Sequence, residues 1–293
     1  MDFLNYAING VLLGLLYALV AMGFVVIYRA SKVFNLAQGE LVVLGGFLVW
    51  WTVIDIGLPL YAGIPLAFVL AAAVGLLIER IFFARLVGES VFSMVMVTVG
   101  LMILLRGVVL LVFGPQVRPF PIVFPLRPLV TGDLLIPTNL LWGGVLTLSG
   151  ALGLSWFFNR TRTGLTMTAV AEDHQVALSM GISVKRSIAF AWVLGSLLST
   201  LGAIIFLSGK SLNFLASDIG FAALPVALLA GLESLGGLLV AGAIVGMVQG
   251  LATAYLDPLV GGAVGSVLPF IIMLLILLVR PTGLFGWRTI ERV

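Results

Sequence analysis

The chain has 293 residues, 61% hydrophobic and only 9% charged, with a mean hydropathy of +1.25. Soluble domains carry charge on about a quarter of their residues, so a water-facing fold is excluded. The lack of cysteine excludes disulfides and thiolate-bound metal. The net charge of +3 is scattered over segment ends rather than gathered in a stripe, which excludes a nucleic-acid surface.

Apolar runs of roughly 18 to 25 residues match the length needed to cross about 30 Å of hydrocarbon as helix. Stretches such as 64–77 and 264–279 are apolar on every side, unlike the alternating strands of a membrane barrel. The predicted fold class is all-α: a polytopic helical membrane protein of about eight or nine spans, some short or broken, in one domain over 1–293.

In chain order, the first apolar segment covers 4–28; it follows Asp2 without a basic leader or a cleavage site and reads as a retained helix. Further segments cover 37–54, 60–84, 91–113, 139–158, 187–208, 220–256 and 263–279. Basic residues cluster at 29 and 32, at 80 and 85, at 160, 162, 185 and 186, and at 280, 288 and 292. By the positive-inside rule these ends face the cytoplasm, which places the N-terminus outside and the C-terminus inside. That sidedness requires an odd number of crossings, so 220–256 is expected to break at Glu233-Ser-Leu-Gly-Gly237 into halves over 220–232 and 238–256, giving nine. One long tilted helix is the alternative. Small residues such as Gly242 and Gly246 are expected to let helices approach closely.

Two loops are long. Residues 114–138 are proline-rich, with Thr131-Gly132-Asp133 marking an external β-hairpin, either a connector or a contact surface for an extracytoplasmic partner. Residues 159–186 predict a cytoplasmic helix over 168–181, capped by Thr168, with Glu172 and Asp173 near its start and Gly181 ending it. Val176, Ala177 and Met180 would form an apolar knob suited to another protein's groove.

Four stretches carry a resemblance. Ala171-Glu-Asp-His-Gln-Val-Ala-Leu-Ser-Met-Gly-Ile182 is similar to the ATPase-coupling loop of LivH-type branched-chain amino acid ABC permeases, of the form A-x-x-x-x-x-A-x-x-x-G-I. Asn35-Leu-Ala-Gln-Gly-Glu40 resembles that family's N-x-A-x-G-E segment; Ala230 to Gly237 and Arg280 to Gly286 match in the same order. The resemblance implies a bacterial inner-membrane transport subunit with no cofactor or catalysis of its own. It implies a second, LivM-like permease, two cytoplasmic ATPases, a periplasmic substrate-binding protein, a small-molecule substrate and contact with membrane lipid. ATPase coupling is expected at Glu172, Asp173, Ala177, Met180 and Gly181, and the path or gate at Asn35, Gln38, Glu40 and Glu233. Two departures, Gln38 for the usual histidine and Glu233 for the usual glycine, leave the cargo open among branched-chain or other amino acids, urea, amides and small carboxylates.

Other constellations fail. Ser208-Gly-Lys-Ser211 lacks the P-loop's first glycine, since position 204 is Ile204. His174 has no second metal-ligating residue at ligand spacing. Glu40 is expected to accept backbone amides or to pair with Lys32, fixing the turn after the first helix. Lys32, Asn35 and Glu40 are echoed by Lys210, Asn213 and Asp218 at a fixed offset, which would suit an inverted repeat or arise by chance. An ion-driven secondary transporter is the rival class; it predicts buried mid-span acids, whereas the acids here, Glu40 included, are expected near cytoplasmic ends.

Overall fold

The computed structural model of the chain describes residues 2–86, 89–132, 134–172 and 174–286. Helix α1 (Asp2–Ser31) is its axis: Leu16, Leu19, Met22 and Ile27 are fully enclosed, with other helices on every side. After it come α2 (Gln38–Trp50), prolonged by a π-helical turn over Trp51–Asp55, then α3 (Leu60–Ile81) and α4 (Val91–Phe113). A second set follows the external loop: α5 (Thr138–Arg160), the short α6 (Arg162–Glu172) and α7 (His174–Ser179), then α8 (Val184–Leu207). The chain finishes with α9 (Asp218–Ala230), α10 (Leu235–Tyr255), α11 (Asp257–Val260) and α12 (Val264–Val279).

Each expected apolar segment is helical, and the all-α polytopic class holds. Among the described residues six helices are long and apolar enough to cross a membrane: α1, α3 with its terminal turn, α4, α5, α8 and α10. The other three are short. At about 1.5 Å per residue, α2, α9 and α12 reach roughly 20 to 24 Å, less than the hydrocarbon thickness. Segment 220–256 is two helices. Gly231 ends α9 in the left-handed region (φ 89°), and the Ser234 hydroxyl starts α10 by accepting the Gly237 N–H at 2.9 Å. The break therefore falls at 231–234, slightly before the expected position, because Gly236 and Gly237 are absorbed into the capped first turn of α10.

Glycine sets the closest approach. Helix α10 runs antiparallel to α1, with Gly246 and Gly242 meeting Gly10 and Gly14. A Cβ on Gly10 would lie 2.6 Å from the Gly246 carbonyl oxygen, and one on Gly242 would lie 2.5 Å from that of Gly14, so no side chain fits between these backbones. In a bilayer, where lipid and leucine are equally apolar, such contact supplies the packing that burial cannot.

The loop between α4 and α5 forms the expected hairpin, β2 (Leu129–Thr131) against β3 (Leu134–Ile136), with Gly132 at φ +64°; Asp133 lies outside the described residues. A second, unforeseen pairing joins β1 (Arg118–Pro119) to β4 (Ser211–Leu212), and the Ser208 hydroxyl accepts the N–H groups of Val123 and Phe124. These bonds anchor the segment between α8 and α9 to the external face.

The loop between α5 and α8 departs from expectation in where its helix begins. Its described residues are helical from Arg162, not from Thr168, over α6 and α7, and Asp173 between them lies outside the described residues. Thr161 nucleates α6 early by accepting the Gly164 N–H at 3.0 Å, so Thr168 falls inside the helix and donates back to the Gly164 carbonyl. Glu172 therefore lies well past the start of its helix and not in the first turn. Gly181 does adopt the left-handed conformation, at φ 76°.

Replacing Gly246 by valine should push α1 and α10 apart and cost at least the 1–3 kcal/mol typical of overpacking. Thermal unfolding of the purified chain in detergent would show a lowered midpoint; an unchanged midpoint would contradict this packing.

Candidate functional site: a charged pair where two half-helices meet

Helix α2 does not begin at a membrane edge. The Gln38 amide donates to Ser199 Oγ at 2.9 Å and to the Val20 carbonyl at 3.4 Å, and its side chain fills the space a Cβ on Gly23 would need. Val20 lies 11 residues before the end of α1 (31 − 20), or about 16 Å along the helix. The chain thus leaves α1 at Ser31, climbs back as irregular backbone over 32–37, and starts a new helix at mid-depth. Hydrocarbon tolerates such backbone only when its polar groups are paired. Here Val33 N–H donates to Ser31 Oγ, Leu36 N–H to Thr98 Oγ1, Ala37 N–H to Asn35 Oδ1 and Gln38 N–H to the Asn35 carbonyl. Asn35 Nδ2 donates to Gln38 Oε1 at 3.2 Å, and both side chains are fully buried.

The second half mirrors this. After α8 the chain returns through 208–217 and starts α9 against α2: a Cβ on Gly39 would strike the Ser217 carbonyl, and one on Gly220 would strike Gly39. From that contact α2 runs toward Leu207, and α9 runs the opposite way, toward Lys32. The two echoing sequence segments therefore meet head to head. Asn35 takes the N–H groups of Ala37 and Gln38 ahead of α2, a 3-10 turn over Phe214–Ser217 leads into α9, and both N-terminal dipole ends face the junction.

Arg106 sits at this junction. Its Nη2 lies 2.6 Å from Glu40 Oε1 and donates to Ser217 Oγ at 2.9 Å. Glu40 thus pairs with Arg106 and not with Lys32, because the climb over 32–37 lifts it away from the end of α1. The same climb corrects the expectation that Glu40 lies near a cytoplasmic end. Its carboxylate is 3% exposed, whereas the Arg106 side chain is 47% exposed on a face of α4 that is otherwise apolar. Glu40 Oε2 is buried with no hydrogen-bond partner, and Glu40 lines a cleft of about 10 Å³ with Phe24, Ser217 and Phe221. Arg106 was legible as an ionisable residue inside the apolar run 91–113, a functional marker by default; reading basic residues only for sidedness passes over it.

Lys32 pairs instead with Glu233, Nζ to Oε1 2.6 Å, joining the end of α1 to the turn between α9 and α10. Among the described residues, the non-glycine positions with positive φ are Lys32 (53°) and Leu232 (56°), one at each side of that pair. Such backbone costs on the order of 1–3 kcal/mol per residue and persists only where surroundings enforce it. The pair borders a cavity of about 660 Å³ lined by Tyr28, Leu228, Glu172 and Thr282. Tyr28 and Leu228 are one turn beyond Phe24 and Leu224 of the mid-depth cleft, so one face of α1 and α9 connects the two spaces.

Of the expected coupling residues, Glu172 faces this cavity. Met180 is 76% exposed, and Gly181 has open space around its Cα. Ala177 is 3% exposed and packs inward, since α7 turns one face to the core; the apolar knob is made by Val176, Leu178 and Met180. Asp173 lies outside the described residues. Among the described residues no group of three metal-ligating side chains assembles.

The two polar centres should respond differently to mutation. Gln38→Leu leaves Asn35 Nδ2 and Ser199 Oγ without their buried partner and should cost about 1–3 kcal/mol, whereas Glu233→Gln at the half-exposed pair should cost below about 1 kcal/mol. Denaturant or thermal melts of the two variants, side by side, check the order; equal losses would contradict it.

The family model described as "Branched-chain amino acid transport system / permease component" matches residues 6–277. The chain is 29% identical to the high-affinity branched-chain amino acid transport system permease protein LivH of Escherichia coli K12, covering 99% of this chain and 98% of that one. It is 26% identical to the permease protein BraD of Pseudomonas aeruginosa over the same shares, and 26% identical to a probable LivH of Methanocaldococcus jannaschii over 95% and 91%. No solved structure matches. With the half-helices, the mid-depth ion pair and a family match over nearly its whole length, the chain belongs to the branched-chain amino acid transport permease family.

Proposed function

We propose that the chain is the membrane-spanning permease subunit of an ATP-driven importer of branched-chain amino acids, and that it forms one half of the translocation path. The observation that carries the reading is the face of α1 and α9 that joins the mid-depth cleft at Glu40 to the larger cavity at Lys32 and Glu233. A partner completes the path: Arg106 is too exposed on an apolar helix to face lipid, where an unpaired charge costs several kcal/mol. A second, LivM-like permease against α4 would cover it. Two cytoplasmic ATPases and a periplasmic binding protein complete the assembly in the bacterial inner membrane, with the N-terminus periplasmic and the C-terminus cytoplasmic, as the basic clusters require.

Coupling runs through α6 and α7. The knob of Leu178 and Met180 docks in an ATPase groove, and α6 carries Glu172 to the cavity wall beside Lys32. Movement of α6 shifts a carboxylate toward the Lys32–Glu233 pair, offering Lys32 a second partner and releasing two strained turns at the cytoplasmic mouth. Asn35 and Gln38 hold the break in place while Glu40 and Glu233 mark the path and its gate. An ion-driven carrier is less well supported: Glu40 does lie at mid-depth, but Arg106 holds it as a paired charge instead of leaving it free to cycle protons.

Leu178→Asp with Met180→Asp places charge on the exposed knob and should abolish co-purification with the ATPases and substrate-stimulated ATP hydrolysis, by at least about tenfold, or about 1.4 kcal/mol of docking energy. The chain should still insert and purify. Ala177→Arg, at a buried position, should instead lower the yield of folded chain. Full coupling in the double variant would refute docking through α7.

A further inference from the structure

We infer that the Arg106–Glu40 pair is the point at which the permease itself reads its cargo, and that it selects a zwitterionic head group, an ammonium and a carboxylate on one small molecule. The inference rests on the proposed permease role and adds a specificity site at its mid-depth junction.

The chemistry of the pair sets the class. Glu40, which lines the cleft, is buried and pairs with Arg106 through one oxygen only; its other oxygen, Oε2, is buried without a hydrogen-bond partner and has capacity for a donor once the helices part. Arg106 has one nitrogen on Glu40 and Ser217, leaving guanidinium donors on its exposed side for an incoming acceptor. The two helix N-termini add positive potential at the same point, and the carboxylate of Asp218, within electrostatic reach of Glu40, offsets it. The junction is thus close to neutral as a whole while holding separated charges.

The cleft beside the pair is about 10 Å³, room for roughly one water, so cargo passes only when α2, α4 and α9 part. Parting breaks the ion pair, and the cargo decides what that costs. An anion satisfies Arg106 and strands Glu40; a cation does the reverse. A neutral amide or sugar strands both. A zwitterion replaces one ion pair with two, its carboxylate on Arg106 and its ammonium on Glu40, and leaves no charge unpaired in a low-dielectric site. The apolar walls, Phe24, Met102, Phe221 and Leu224, suit a branched aliphatic side chain.

The test uses the full chain in nanodiscs and labelled leucine. Three competitors keep the leucine side chain and lack one or both charges: 4-methylpentanoate, leucinamide and 4-methylpentanamide. Unlabelled leucine should displace the label at concentrations at least about tenfold below each analogue. In Glu40→Gln the advantage of leucine over 4-methylpentanoate should collapse to below about threefold, because the ammonium has lost its partner. In Arg106→Gln the advantage over leucinamide should collapse in the same way. A pair with a purely structural role would not move these ratios selectively. Equal competition by all four compounds on the unaltered chain overturns the inference even if neither variant folds, as do ratios unchanged in both variants. If the assembled transporter moves leucine but the chain shows no such binding, this site fails and the permease role stands. If the assembled transporter moves no amino acid, the proposed function itself fails.

Discussion

A helix that starts in the middle of a membrane is possible only if the backbone leading to it is fully hydrogen-bonded by protein, and that requirement governs this fold. Among the described residues, the segment 32–37 has no strand partner. Ser31, Asn35, Thr98 and Gln38 supply what water would. Because these side chains come from α1, α2 and α4, and Gln38 reaches Ser199 on α8, the break locks four helices together. The half-helix α2 then delivers Glu40 to the junction, and α9, held from outside by the β1–β4 pairing, delivers the opposing N-terminus. Loss of the buried amide network would release the break, and with it the placement of every charge at the junction.

Much of the architecture was legible from hydropathy alone, since length and apolar runs dictate helices in a bilayer. The hairpin, the left-handed Gly181 and the close meeting of Gly242 and Gly246 with another helix were legible for the same reason: each is a local rule with few alternatives. The depth of α2 was not. Nothing in the run from Asn35 to Glu40 states how far the chain climbs before it coils, because depth is set by Gln38 finding Val20 and Ser199, residues about 18 and 161 positions away. The partners of Glu40 and Lys32 exchanged for that reason. The helix boundary at Thr168 was misread because Thr161, nearer the end of α5, captured the cap first.

Among the described residues two ion pairs differ in setting. Lys32–Glu233 is half-exposed, spans two strained turns and sits beside the surface proposed to meet the ATPases. It is cheap to open, as a gate should be. Arg106–Glu40 is buried on one side, deeper, and costly to open unless something replaces both partners. The two lie in series along one face of α1 and α9; in the proposed mechanism the first would control when the path opens and the second what can pass.

The absence of cysteine makes a direct measurement possible. Single cysteines at 224 and 228, on the proposed path, and at 69 and 152, on outward faces of α3 and α5, can be placed one at a time in the assembled transporter. Their reaction with a membrane-impermeant thiol reagent is then timed. The account predicts that 224 and 228 react at least about tenfold faster than 69 and 152, and that ATP changes their rates. Rapid reaction at 69 and 152, with 224 and 228 inert in every nucleotide state, would place the water path elsewhere and contradict it.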